Sequence, residues 1–174
     1  LVRGKTLEAF ADAAEKTDRS FQAGALAMGA GIAIETMPGY LPAIYQEYPE
    51  ELTEALEELA EGRPVERVKP GTHTGGSTDV GDVQHLLPVY TFHTGGMSGG
   101  RHQSDFGIVD EEEAYILTAK VFAVSAYRML KDGAALAKQL KEAYHPVFTS
   151  KEEYIAFMDQ FRVVKEENYG NRSL

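Results

Sequence analysis

Apolar positions Leu7, Phe10, Ala14, Thr17, Phe21, Ala25 and Met28 recur at spacings of three and four behind Thr6, a residue suited to capping a helix. This stripe predicts a helix of about six turns, stopped by Gly29 and Gly31. Gly31 to Thr36 then reads as a short strand, halted by Pro38-Gly39. Leu1 to Gly4 reads as the tail of an earlier strand, so the first forty residues resemble half of a split βαβ unit lacking two elements. From Pro38 to Pro49 the chain is rich in Tyr and Pro, a natural crossing between domains. Glu50 to Glu61 predicts a short acidic helix with Leu52, Leu56 and Leu59 inward, and Val65 to Val68 a short strand.

Beyond these, Val89 to His93 predicts a buried strand between two glycine-rich loops. Asp110 with Glu113 forms a capping pattern that opens a helix ending near Gly133. That helix is apolar nearly all round, through Ala114, Leu117, Val121, Phe122, Val124 and Leu130, which predicts packing against a sheet. Two further helices are expected over 133–143 and 150–161, the latter opened by Ser150 with Glu153, and a polar, loose tail over 166–174. The expected class is α/β.

Composition narrows the chemistry. The 174 residues include no Cys, which excludes a disulfide framework, a thiolate metal site and a cysteine nucleophile, and fits a reducing cytoplasm. Seventeen basic against 27 acidic residues give a net charge of −10, which argues against nucleic acid and anionic membrane as partners. No initiator Met or signal-peptide pattern is present at Leu1, which leaves a trimmed terminus or missing upstream chain as the two readings.

The glycine-rich loops are where chemistry is expected. One runs from Thr72 through His73, Gly76, Ser77, Thr78 and Asp79 to Asp82; the other from Gly95 through Arg101, His102 and Asp105 to Phe106. Glycines let backbone approach a ligand, and His and Asp supply metal ligands or proton carriers. Neither loop carries the Gly-Lys-Ser/Thr of a phosphate loop or the Gly-x-Ser-x-Gly of a nucleophile elbow. Of the five histidines, His93 in its predicted strand and His145 before Pro146 read as structural. For His102 the residues alone leave a ligand and a solvated loop imidazole both open. Asp79 and Asp82 read equally as helix caps. His73 and His102 together would fall short of the three or four ligands of a metal site.

Residues 76–88, Gly-Ser-Thr-Asp-Val-Gly-Asp-Val-Gln-His-Leu-Leu-Pro, resemble the Gly-Ser-Thr-Asp-x-Gly-Asp-Val-Ser-His-x-x-Pro segment of the aminoacylase/carboxypeptidase-like metallopeptidase family, which includes aminobenzoyl-glutamate hydrolases and related dipeptidases. Two more segments agree in order and spacing, to about Phe161. The stretch from Val2-Arg3-Gly4-Lys5-Thr6 to Pro38-Gly39-Tyr40-Leu41-Pro42 is similar to the second half of that family's lid domain, and 102–110 to its His-Ser/Gly-x-Asp-Phe-x-Ile-x-Asp segment.

The resemblance implies half of a ferredoxin-like lid and dimerisation domain over 1–42, the C-terminal part of an α/β catalytic domain over 43–165, and a tail over 166–174. It implies the C-terminal part of a metal-dependent amidohydrolase or peptidase acting on an N-acyl amino acid or small peptide amide, with zinc or manganese, two ions in the complete enzyme. His102 matches the last metal ligand, Arg3 the lid arginine that holds a substrate carboxylate, and Gly76, Ser77, Thr78 and Asp79 a loop lining the cleft. The remaining ligands and the general-base Glu would lie upstream, so this chain alone is expected to be inactive. Arg101 stands where relatives often carry a small or apolar residue. Asp105 is the nearest candidate to hold the second ring nitrogen of His102. The alternative is a non-catalytic binding or oligomerisation module, a homo-oligomer or a partner of a missing segment, because a lone half-lid leaves strand edges open.

Overall fold

The computed structural model describes residues 1–69, 71–72 and 76–170, in mixed helix and strand. Helix α1 spans Leu7–Met28, β1 Gly31–Thr36, α2 Glu50–Ala60, α3 Val80–Gln84, β2 Met97–Ser98, β3 Gly107–Ile108, α4 Thr118–Ala143, α5 Lys151–Asp159 and β4 Val163–Asn168. A π-helical stretch, Glu112–Leu117, leads into α4. The chain divides into two compact units: 1–44, 73–87 and 146–174 form the first, 45–72 and 88–145 the second.

In the first unit α1 begins and ends as its sequence dictates. The Thr6 hydroxyl accepts the Ala9 N–H at 3.1 Å, and Gly29 closes the helix in the left-handed region at φ 61°. Strand β1 packs beneath α1 and pairs antiparallel with β4, Gly31 opposite Asn168 and Thr36 opposite Val163. Leu1 to Gly4 form no strand. β1 is instead paired with the chain's far end, so Glu166 to Asn168, expected in a loose tail, are strand residues. A run of aromatic contacts joins the elements: His85 to Phe148, Phe148 to Phe157, Phe157 to Phe161, and Phe161 to Phe10 with ring centroids 4.9 Å apart. Phe148 within it is buried, as is Leu41.

In the second unit α2 lies against α4, burying Leu52, Ala55 and Ala60 on one helix and Val121 on the other. Glu51 ties the pair, 2.6 Å from the Lys131 ammonium. Three expectations differ here. Among the described residues α4 packs mainly against α2 and not a sheet, and Phe122, Tyr127 and Leu130 stay exposed. Its break falls where Gly133 suggested: Lys131 to Ala134 leave helical geometry, separating the two helices read from the sequence. The 89–93 run forms no strand; it is half-buried through side-chain contacts, Tyr90 on Tyr48 and Phe92 on Phe122, with ring centroids at 5.3 and 4.8 Å. His93 is accordingly exposed and not in a buried strand. Val65 to Val68 also form no strand; there Arg67 pairs with Glu57 (2.7 Å) and Glu50 (3.5 Å) on α2.

No helix among the described residues is long and apolar enough to cross a membrane.

Candidate functional site

The two glycine-rich loops belong to different units, and each is built from its own anchor. In the first unit Gly76, Ser77, Thr78 and Asp79 are exposed and run straight into α3. Asp79 stands at the N-cap position without capping; its carboxylate accepts the Thr78 hydroxyl at 3.0 Å. Immediately behind, every turn of α3 is locked. Gly81 lies so close to the Leu41 carbonyl that a Cβ there would collide with it. The Asp82 carboxylate accepts the Leu41 N–H at 3.1 Å, and the Gln84 side-chain carbonyl accepts the Ile44 N–H at 2.9 Å. His85 is 3% exposed, with Nδ1 2.8 Å from the Gly81 carbonyl oxygen, and its own carbonyl accepts the N–H groups of Val147 and Phe148. Asp82 and His85 are therefore framework residues, and neither Asp79 nor Asp82 caps a helix.

Burial raises the Asp82 carboxyl above its usual 3.8, against the lowering effects of the Leu41 N–H, the Tyr154 hydroxyl and nearby His85. The mechanical result is an exposed Gly-Ser-Thr-Asp loop on a rigid base, the usual way a fold presents recognition groups.

In the second unit the Met97–Ser98 and Gly107–Ile108 strands form a short hairpin, Met97 opposite Ile108. His102 sits in its turn, exposed, in the left-handed region at φ 64°. A non-glycine residue there is uncommon and worth a functional question. Asp105 does not hold His102: its carboxylate accepts the Gly100 N–H at 3.3 Å and pins the turn instead. At the hairpin base the Val109 and Asp110 N–H groups donate to the Gly96 carbonyl, and Asp110 caps the helix that follows by accepting the Glu113 N–H at 3.0 Å.

Arg3 is exposed ahead of α1, in the first unit. His73 lies outside the described residues. Among the described residues no three His, Asp or Glu side chains converge as metal ligands. A zinc or manganese site needs three or more protein groups, and His102 offers one. These residues do not fit a whole metal centre by themselves.

Sequence reasoning missed a tyrosine cluster in the second unit. Tyr48 packs on Tyr90, its buried hydroxyl has no hydrogen-bond partner among the described residues, and its pKa is pushed up to about 12, first by burial and then by Tyr90. A phenol that dry holds its proton more tightly than an exposed tyrosine. The Tyr- and Pro-rich composition of 38–49 is its signal in the sequence.

No family model, curated protein or solved structure matches this chain.

Proposed function

We propose that this chain is the C-terminal part of a metal-dependent amidohydrolase that cleaves an N-acyl amino acid or small peptide amide. In this reading 1–42 is the second half of a ferredoxin-like lid and 43–165 the end of the catalytic domain. His102 serves as one metal ligand in a set completed outside these residues. Arg3 holds the substrate carboxylate, and Gly76 to Asp79 line the cleft. The observation that carries the reading is the ordered run of three segments, at Val2–Pro42, Gly76–Pro88 and His102–Asp110, with the spacing of the aminoacylase/carboxypeptidase-like family. Two local features support it. His102 is exposed on a hairpin turn at φ 64°. The Gly76–Asp79 loop is exposed in front of a locked helix.

Arg3 gives a separable test in the complete enzyme. A charge-assisted bond to a carboxylate contributes about 1.5–3 kcal/mol, so Arg3→Ala should raise KM for N-acyl amino acids roughly 10- to 100-fold. The melting temperature should hardly move, since an exposed arginine adds little to folding. Unchanged kinetics with lost stability would assign Arg3 to the fold instead.

A second reading, a non-catalytic assembly module, is favoured by one observation. The α4 residues Phe122, Tyr127 and Leu130 are 63%, 67% and 65% exposed on a helix that the sequence makes apolar nearly all round. Surfaces of this kind mark contacts with another polypeptide. Hydrolytic turnover by the complete protein separates the two readings.

A further inference from the structure

The chain contains a single Asp-Gly pair, Asp132-Gly133, and no Asn-Gly. It falls in the break of α4. There Lys131 turns to ψ 163°, and the next three residues occupy the left-handed region: Asp132 at φ 53°, Gly133 at φ 69° and Ala134 at φ 64°. Glycine adopts that conformation freely and aspartate with a local hydrogen bond, whereas the Cβ of Ala134 is crowded by the following carbonyl oxygen. Strain of this kind lowers the cost of opening the segment.

The Asp132 side chain is uncommitted. Both Asp132 and Gly133 are exposed. The neighbouring cations are engaged elsewhere, the Lys131 ammonium 2.6 Å and the Arg128 guanidinium 3.9 Å from the Glu51 carboxylate. Among the described residues the Asp132 carboxylate makes no hydrogen bond or ion pair. A Cβ placed on Gly133 would meet nothing within 4 Å, so the peptide between the two residues has room to turn. An uninterrupted helix would fix ψ and hold the amide in its ladder, keeping the amide nitrogen away from the side-chain carboxyl. The break removes that protection from the one pair whose second residue offers no steric hindrance.

We propose that Asp132 is a site of spontaneous backbone isomerisation in the folded chain, with the Gly133 amide nitrogen as nucleophile. The nitrogen attacks Cγ of the protonated Asp132 carboxyl, a C–O bond breaks, and the hydroxyl leaves with the amide proton as water. The product is a five-membered succinimide. Water then adds to the main-chain carbonyl carbon of Asp132 and breaks its bond to the Gly133 nitrogen, so the chain continues through Cγ and the α-carboxylate is freed. Addition at Cγ instead restores aspartate. One water leaves and one returns, and mass and net charge are unchanged. The isomer lengthens the backbone by one atom where α4 is already interrupted, and sets a carboxylate beside Lys131 in competition with Glu51. This chemistry does not depend on the hydrolase reading.

The test is incubation of the 174-residue chain at physiological temperature and neutral pH. Isoaspartate is read by peptide mapping, by resistance to a protease that cuts before aspartate, and by enzymatic methyl transfer to the new α-carboxylate. The same chain unfolded in urea supplies the reference rate. Isoaspartate should accumulate at Asp132 and at no other aspartate, within about tenfold of the unfolded rate, because a segment that opens at little cost is little protected. Asp132→Glu, which cannot close the five-membered ring, should abolish it. Gly133→Ala should slow it in the unfolded chain as well as the folded one, so a loss of fold in that variant does not obscure the result. A folded-state rate more than about tenfold below the unfolded one would show that the break stays closed and would overturn the proposal. Equal accumulation at other aspartates, or a signal that survives Asp132→Glu, would overturn it too.

Discussion

Asp82 carries two opposing demands. Its carboxylate satisfies the Leu41 N–H and takes the Tyr154 hydroxyl, yet burial makes its charge expensive and lifts its pKa. Because the folded state holds this proton more tightly than the unfolded chain, the Asp82 contribution to stability falls as pH rises from 3.8 through the raised folded value. Asp82→Asn keeps an acceptor for Leu41 and removes that penalty, so it should leave stability near neutral pH unchanged or slightly higher and flatten this part of the profile. Asp82→Ala strands the Leu41 N–H and should cost about 1–3 kcal/mol. Urea titrations of both variants between pH 3 and 7 check this; equal losses in the two would show that the hydrogen bond is irrelevant. Glu153 acts in the opposite sense. It accepts the Thr149 N–H (2.7 Å) and hydroxyl (2.8 Å), which lowers its pKa, so its contribution is complete above the usual 4.5 and fades as pH falls through the lowered value. In Glu153→Gln that acid loss should disappear from the melting curves. The Ser150–Glu153 pairing was legible because a capping pattern is written in four consecutive residues. The role of Asp82 was not, since its partners Leu41 and Tyr154 stand far away in sequence.

At the scale of elements, helices were readable and strands mostly were not. Helix α1, α2 and α5 fall within two residues of their expected ends, each set by local spacing and, for α1 and α5, by a side-chain cap at Thr6 or Ser150. Thr6→Ala should therefore cost about 1 kcal/mol, read as a lower melting temperature with unchanged fold. β4 was missed because Val163 to Asn168 is polar at four of six positions and exposed throughout, and its pairing depends on a strand more than a hundred residues earlier. The 89–93 run erred the other way, since an apolar run shows burial without showing a ladder. The short helix α3 is the element most exacting in shape. Gly81→Ala should drive a methyl into the Leu41 carbonyl at a cost of about 1–3 kcal/mol, roughly 2–4 °C of melting temperature for each kcal/mol. A variant as stable as the parent would mean that the 41–44 segment can yield.

Across the whole molecule, each unit presents one of the loops that the sequence singled out. Gly76 to Asp79 are exposed in the first unit and His102 in the second, while the neighbouring Asp82 and His85 have passed into the framework. The sequence could nominate these loops because glycine, serine, aspartate and histidine cluster in them. It could not tell ligand from framework inside a motif, because Asp79 and Asp82 are the same residue type three positions apart. The proposed role of His102 is that of one ligand in a catalytic metal set completed by chain beyond these residues. Its most direct measurement is N-acyl amino acid hydrolysis, with metal content, by the complete protein, its His102→Ala variant and the isolated 174-residue chain, each supplied with zinc or manganese. The expected result is turnover by the complete protein, loss of most activity together with bound metal in His102→Ala, and none from the isolated chain. Ordinary turnover by the isolated chain, or a His102→Ala enzyme with full activity and full metal, would contradict it.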